Sequence, residues 1–458
     1  MLTLGEVAEA TAGRLVGRPD TDLASVSTDS RAIEAGALFV ALRGDRFDGH
    51  EFCRAALEGG AGALVVDDGE ALPEGGAGVV VKDTLEALQR LAAWHRSRQP
   101  TFVAALTGSA GKTTTKELTA AILGQRYRTL ATAGNLNNHI GVPLTLLRLR
   151  AEHERAVVEM GCNGFGEIAL LAGLAVPDAG LVTNVGEAHL EGLGDLDGVA
   201  RAKGELLAAL GPSGTAVVNV DDPRVRAMRT RARRLGFGRS GEAEVRVVES
   251  RLDGASGRQA VTLDVAGERV EAQLGLLGEL NVMNAVAAAA LASAAGATAA
   301  DIEAGLAAVE APPGRLRPVK GRMGLRVLDD SYNANPRSME AALEVLVGAA
   351  GGRRRAYAVL GEMAELGAAR EAGHERVGRR AAELGVTTLV VVGEGAEALR
   401  RGALAAGMPR ERALAAATPE DAAALVLSAA LAGDVVLVKG SRVARMERAV
   451  AALGEEAL

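Results

Sequence analysis

The chain of 458 residues is long enough for about three domains of roughly 150 residues each. Its 51 Lys and Arg against 58 Asp and Glu give a formal net charge of −7, which argues against a general affinity for nucleic acid or anionic lipid and leaves only a local basic cleft for such ligands. Aromatic residues make up 2% of the chain, too few for the stacking platforms that read single strands.

In chain order, the first residues, MLTLGEVAEA, lack the basic flank and apolar core of a signal peptide. No apolar run reaches the 18 residues a membrane helix needs, so a soluble, cytoplasmic protein is expected. Residues 1–83 carry two short apolar runs, Gly36 to Leu42 and Gly62 to Asp68, with a helix expected over HEFCRAALEGGA between them. That pattern predicts a small α/β domain. Residues 84–312 form a second region, opened by the helical stretch TLEALQRLAAWHRSR. Apolar strands are expected at Phe102 to Gly108, Arg155 to Gly161, Ala179 to Val185 and Gly214 to Val220, with helices between them. Such alternation predicts a doubly wound, mostly parallel sheet. Antiparallel hairpins are expected from Glu244 to about Gln273, and an Ala-rich helix from about Asn281 to Ala295. The stretch Ala311 to Pro318 reads as a linker. Residues 313–458 then repeat the βα rhythm in LRVLDDS, RAYAVLGEM, TTLVVVG and DVVLVKGS, which predicts a C-terminal Rossmann-like α/β domain. The fold class is therefore α/β in three domains.

The strongest motif runs from Leu106 to Lys116, LTGSAGKTTTK. A strand, a glycine-rich turn and Lys-Thr opening a helix are the context of a phosphate-binding loop. Thr107, Gly108, Ser109, Ala110, Gly111, Lys112, Thr113 and Thr114 are its candidates. Lys112 would neutralise phosphate charge and the Thr113 hydroxyl would ligate Mg²⁺. Leu106 stands where the usual motif has its first glycine. Beyond the loop, Glu159 ends an apolar strand, where a carboxylate needs a partner. His189 follows another strand, and Lys203 lies on the next expected helix. Only six of the 51 basic residues are lysine: Lys82, Lys112, Lys116, Lys203, Lys320 and Lys439. A lysine in such a chain marks a place for a compact ammonium or a neutral amine. The two cysteines, Cys53 and Cys162, cannot build a disulfide framework or a four-cysteine zinc site.

The ordered segments TGSAGKTTTKE, VVEMG, NVGEAHLEGLG, ARAKGEL, LNVMNAVAA, GRLRP, LDDSYNANP and LVKGSR resemble those of the Mur ligases, ATP-dependent amide-forming enzymes of peptidoglycan synthesis. The related folylpolyglutamate synthases share the shortened phosphate loop. Ser27 to Phe52, Ala133 to Leu147 and Asp329 to Pro336 resemble the dipeptide-adding member of the family.

This resemblance implies that the N-terminal domain holds the UDP end of a nucleotide sugar, through Ser30, Arg31, Arg43 and Gly44. It implies Asn135, Asn137 and Asn138 as contacts of the muramoyl-peptide. Thr113, Glu159 and His189 match metal positions, and Lys203 matches a lysine carbamylated by CO₂ that bridges to a metal. Arginine offers no neutral amine for that chemistry. Asn281 and Asn284 match adenine-side positions, although the family commonly has His where this chain has Leu280 after Glu279. Arg315 and Asp330 match nucleotide contacts; Tyr332, Asn333 and Asn335 match the incoming-dipeptide stretch, and Lys439 matches a phosphate or carboxylate contact. The implied catalytic set is Lys112, Glu159, His189 and Lys203. The implied ligands are ATP, Mg²⁺, UDP-N-acetylmuramoyl-tripeptide and D-alanyl-D-alanine, with no nucleic acid and no membrane insertion, handled by a monomer. Two other readings stay open on the residues: a different amide ligase of the same group, and a P-loop regulatory or scaffold protein without ligase chemistry.

Overall fold

The computed structural model describes residues 2–44, 47–187, 189–252, 258–364 and 366–455. Asp45, Arg46 and Ala188, which fall in the motif stretches above, lie outside the described residues. The described strands form three α/β sheets and a two-stranded ribbon of Leu2–Thr3 with Asp22–Leu23.

The N-terminal sheet has five strands in the order Arg14–Val16, Gly78–Val80, Ala63–Val66, Leu38–Val40 and Val26–Ser27, parallel except at the first pair. Leu38–Val40 and Ala63–Val66 are wholly buried, as continuous apolar runs of a covered parallel sheet should be. The expected helix near residue 50 is a 3₁₀ turn, Gly49–Phe52, followed by the short helix Cys53–Glu58. The strand Gly78–Val80 completes the domain's sheet.

The central sheet has nine strands. Its parallel part places Phe102–Thr107 between Ala179–Val182 and Arg155–Glu159, with Thr129–Ala131 at the edge. On the other side come Thr215–Asn219, Arg233–Gly238 and Val245–Leu252. Gln259–Val265 and Glu268–Leu274 then close the sheet as antiparallel hairpins. The period of two along Phe102–Thr107 divides its side chains between two cores. Val103 and Ala105 face one, and Ala104 and Leu106 the other. The first core also holds Leu38, Val65 and helix Thr84–Ser97 residues such as Leu88 and Leu91, so the N-terminal and central regions pack together. The second is filled by the Ala-rich helix Glu279–Ala294, buried from Asn284 to Ala292 because small side chains allow close approach.

The C-terminal sheet has the order Arg317–Lys320, Arg326–Asp330, Val435–Lys439, Ala356–Leu360, Thr388–Val392 and Ala413–Ala416. Only its first pair is antiparallel. Helices cover both faces through two further cores. Its strands point their C-terminal ends into the same cavity as the phosphate loop, which is where ligands bind in such sheets. No helix among the described residues is long and apolar enough to cross a membrane.

Candidate active site

Between the strand Phe102–Thr107 and the helix Lys112–Gly124 the chain makes a tight turn. Gly108 has φ +152 and a Cβ there would sit 1.8 Å from Thr183 Oγ1; Gly111 has φ +81 and a Cβ would sit 2.1 Å from Asn284 Oδ1. Both positions demand glycine on conformation and on space. Asn184 clamps the turn. Its Oδ1 accepts from the Ala110 N–H at 3.0 Å and its backbone carbonyl accepts from the Ser109 N–H at 3.1 Å. The Thr183 hydroxyl donates to the Ala110 carbonyl at 2.7 Å. Those two N–H groups are therefore engaged, and the helix N-terminus from Gly111 onward is what remains for an anion. The Thr107 hydroxyl is buried and unpaired.

One cavity of about 400 Å³ collects most of the expected residues. The central region contributes Ser109 to Thr114, Asn135, Asn137, Asn138, Glu159, His189, Asn281 and Asn284; the C-terminal region contributes Arg315, Asp330, Tyr332, Asn333, Asn335 and Lys439. Arg315 ties the two together, its Nη2 donating to Thr113 Oγ1 at 3.1 Å. The Lys112 ammonium folds back onto the Gly108 carbonyl at 2.8 Å. Burial foremost, then the like charge of Lys203, pulls Lys112 down to about 8, while Glu159 pulls the other way.

Glu159 is 1% exposed. Its Oε1 accepts from Asn137 Nδ2 at 2.8 Å and from the Thr113 hydroxyl at 3.3 Å. Its Oε2 is buried with no partner. A bare carboxylate oxygen beside a hydroxyl suits a hard divalent cation such as Mg²⁺. Among the described residues no three of His, Cys, Asp or Glu gather into a metal cluster. His189 lines the cavity with φ 54, a backbone strain expected at functional positions.

Several expected residues are committed to structure. Lys203 is fully buried on the helix Leu196–Ala209, and its Nζ donates to Cys162 Sγ at 3.1 Å. Cys162 lines the cavity, and Lys203 is not among the lining residues. Lys439 is 3% exposed; its Nζ pairs with Asp330 at 2.6 Å and donates to the Asn333 carbonyl at 2.9 Å. Asp330 also accepts from the Leu316 N–H at 3.1 Å, holding the segment after Arg315. Asn335 caps the helix Pro336–Ala350, and Asn138 accepts from the Ile140 and Gly141 N–H groups. Asn281 donates to the Leu277 carbonyl and accepts from Asn284. Glu279, at the position flanking that segment, pairs with Arg239 and accepts from Ser250.

Ser30, Arg31, Arg43 and Gly44 lie apart on the N-terminal domain. Arg31 pairs with Asp29 at 2.7 Å and holds that carboxyl at about 2. Arg43 pairs with Asp67 and Asp48, and the exposed Phe47 packs against Gly44.

Sequence reasoning missed Thr183, Asn184, Cys162, Glu187 and Arg376. The pair Thr183-Asn184 had a signal, polar residues ending an apolar strand next to the phosphate loop. Arg376 had none: it reaches from the helix Arg370–Glu383 to Glu187 at 2.8 Å, a contact between regions far apart in sequence.

Three family descriptions cover the chain: Mur ligase family, catalytic domain over residues 22–96, Mur ligase middle domain over 106–292, and Mur ligase, glutamate ligase domain over 314–442. The chain belongs to the Mur ligase family. It is 43% identical to UDP-N-acetylmuramoyl-tripeptide–D-alanyl-D-alanine ligase of Escherichia coli, over 99% of this chain and 98% of that protein. To the ligase of the same name from Bacillus subtilis it is 35% identical, over 100% and 99%. Among solved Mur ligases, MurF from Acinetobacter baumannii superposes with a TM-score of 0.89 at 35% identity, covering 98% of both chains. MurF from Thermotoga maritima in complex with ADP superposes with a TM-score of 0.82 at 28% identity, covering 93% of this chain and 96% of that one. The three-domain α/β architecture expected of a Mur ligase is the one observed.

Proposed function

We propose that the chain joins D-alanyl-D-alanine to UDP-N-acetylmuramoyl-tripeptide at the expense of ATP, releasing ADP and phosphate. The full-length likeness to ligases of that name carries the reading, and the cavity that joins Lys112 and Glu159 to Arg315 supplies its chemistry.

A carboxylate is a poor electrophile for an amine in water. In the proposed route an oxygen of the tripeptide's terminal carboxylate attacks the γ-phosphorus of ATP and ADP leaves, giving an acyl phosphate. The dipeptide amine then attacks the acyl carbon, the C–O bond to phosphate breaks, and the amine proton is lost. Lys112 and the N–H groups opening its helix offset the repulsion between two anions and stabilise the transferring phosphoryl group. Thr113, Glu159 and His189 are the residues that would hold Mg²⁺, which supplies charge neutralisation at the phosphates. Asn137 fixes one oxygen of the Glu159 carboxylate. Arg315 brings a second cation from the C-terminal region, and closure of that region excludes water from the acyl phosphate.

In this reading residues 1–83 bind the UDP end through Ser30, Arg31, Arg43 and Gly44, residues 84–312 bind ATP, and residues 313–458 close over ATP and dipeptide. Asn135, Asn137 and Asn138 face the muramoyl-peptide, Asn281 and Asn284 the adenine side. The protein acts as a cytoplasmic monomer, since one chain supplies every group named. Lys203 is carbamylated. A buried ammonium whose polar contact is a thiol is costly, and reaction of the amine with CO₂, losing a proton, turns it into an oxygen donor for metal. Lys203→Ala is then expected to lose at least about 1,000-fold in turnover, with little recovery in bicarbonate; undiminished turnover removes the carbamate.

The deciding experiment is phosphate release from ATP with UDP-N-acetylmuramoyl-tripeptide and Mg²⁺, with and without D-alanyl-D-alanine. Release that requires both substrates is the expected result. ATP binding without turnover in the presence of both would leave a nucleotide-binding protein of another kind.

A further inference from the structure

The incoming peptide of the proposed reaction is a zwitterion. Its amine must reach the acyl carbon near Lys112, and its carboxylate must be held further out by a cation. Sequence resemblance points to Lys439 for such a contact, but that ammonium is buried and already answered by Asp330 and the Asn333 carbonyl. Arg315 is turned toward the Thr113 hydroxyl on the phosphate side. Arg376 is taken by Glu187 and Glu340.

Arg442 differs from all three. The strand Val435–Lys439 runs parallel to Arg326–Asp330, with Lys439 in register with Asp330. The turns that leave these strands, one carrying Tyr332 and Asn333 and the other Arg442, therefore emerge side by side at the sheet's C-terminal edge. Arg442 is exposed, and among the described residues its guanidinium has no hydrogen bond or carboxylate partner. It lies 5.7 Å from the centre of the Tyr332 ring, and the Arg315 guanidinium lies 4.4 Å from the same centre. Tyr332 lines the cavity. A cation bonded to Thr113 and a cation without a hydrogen-bond or carboxylate partner among the described residues thus share one aromatic ring.

We infer that Arg442 binds the terminal carboxylate of the incoming dipeptide and so sets which peptides are accepted. This rests on the ligase reading above. A dipeptide is about 7 Å long when extended, and the two guanidiniums, 4.4 and 5.7 Å from one ring centre, lie no more than about 10 Å apart. The planar guanidinium matches a carboxylate with two parallel hydrogen bonds, which an ammonium cannot do.

The test compares D-alanyl-D-alanine with its C-terminal amide, a neutral analogue with the same amine. The wild-type enzyme is expected to favour the acid by about 10- to 100-fold in kcat/KM. Arg442→Gln is expected to lose that preference, mainly through KM for the acid, with KM for ATP unchanged. Arg442→Lys should recover part of it. Arg410→Gln, an exposed arginine ahead of the strand Ala413–Ala416 and so at the opposite edge of the sheet, should behave as wild type. An acid-over-amide ratio that survives in Arg442→Gln overturns the inference, as does an equal loss for both peptides. Phosphate release by the wild type with neither peptide would instead overturn the ligase reading itself.

Discussion

Two polar clusters in this molecule sit at the C-terminal ends of parallel strands, and they are built on opposite terms. In the N-terminal domain Arg43, Asp48, His50 and Asp67 answer one another. Arg43 pairs with both carboxylates, His50 Nδ1 meets Asp48 at 2.6 Å, and His50 Nε2 accepts from the Asp67 N–H at 3.1 Å. Arg43 holds the Asp67 carboxyl below its ordinary range, and the backbone N–H of His50 does the same for Asp48. The central cavity leaves groups open. Glu159 has a bare buried oxygen, and Lys112 bends back onto its own loop. A closed network stands without a ligand. An open one in a low-dielectric site bears a cost that a bound ion or phosphate removes.

The largest effect that can break this contrast is at Glu159. Glu159→Gln keeps the size and removes the charge. Phosphate release is expected to fall at least about 1,000-fold, and the thermal midpoint to hold or rise because an unpaired charge has been removed. Assays at rising Mg²⁺ and a thermal melt measure the two. Activity within tenfold of wild type would mean that the bare oxygen touches no ligand.

Arg43→Ala probes the closed cluster. If Arg43 also meets the UDP end of the substrate, KM for the nucleotide sugar should rise by about 3- to 10-fold, with kcat and KM for ATP unchanged. A loss of stability without a change in KM would make the cluster purely structural and widen the contrast with the cavity.

The same contrast explains what the sequence made legible. Glu159 and His189 stood out because polar residues beside apolar strands need a reason, and Lys203 because lysine is scarce in this chain. The long apolar strands and the glycine-rich turn carried their own periodicity and spacing. The strands Leu2–Thr3, Arg14–Val16, Asp22–Leu23 and Val26–Ser27 are too short to show a period. Ala413–Ala416 is an alanine-rich edge strand held by pairing with Thr388–Val392, a tertiary effect that overrides propensity. The helix Leu4–Thr11 carries a legible local signature, the Thr3–Glu6 capping box. Contacts such as Lys203 to Cys162 or Arg442 to Tyr332 depend on how separate strands are brought together, which residue spacing does not encode.

The last expected effect lies just beneath the closed cluster. Cys53 is 2% exposed, and burial, with a lesser push from the Asp48 carboxylate, raises its thiol from 9.0 to about 11. Between those values the unfolded chain has lost the proton and the folded chain has kept it. The unfolded state then binds fewer protons, so stability is fully present below about pH 9 and falls as pH rises toward 11. The drop is bounded at about 2–3 kcal/mol. Urea midpoints from pH 8 to 11 should therefore decline more steeply for the wild type than for Cys53→Ala, whose core has no thiol to ionise. Asp48→Asn should lessen the slope slightly, because it removes the charge that helps keep the thiol protonated. Parallel slopes for wild type and Cys53→Ala would mean that this thiol is not shielded in the folded state, and that the N-terminal domain is more open beneath its charged cluster than its packing implies.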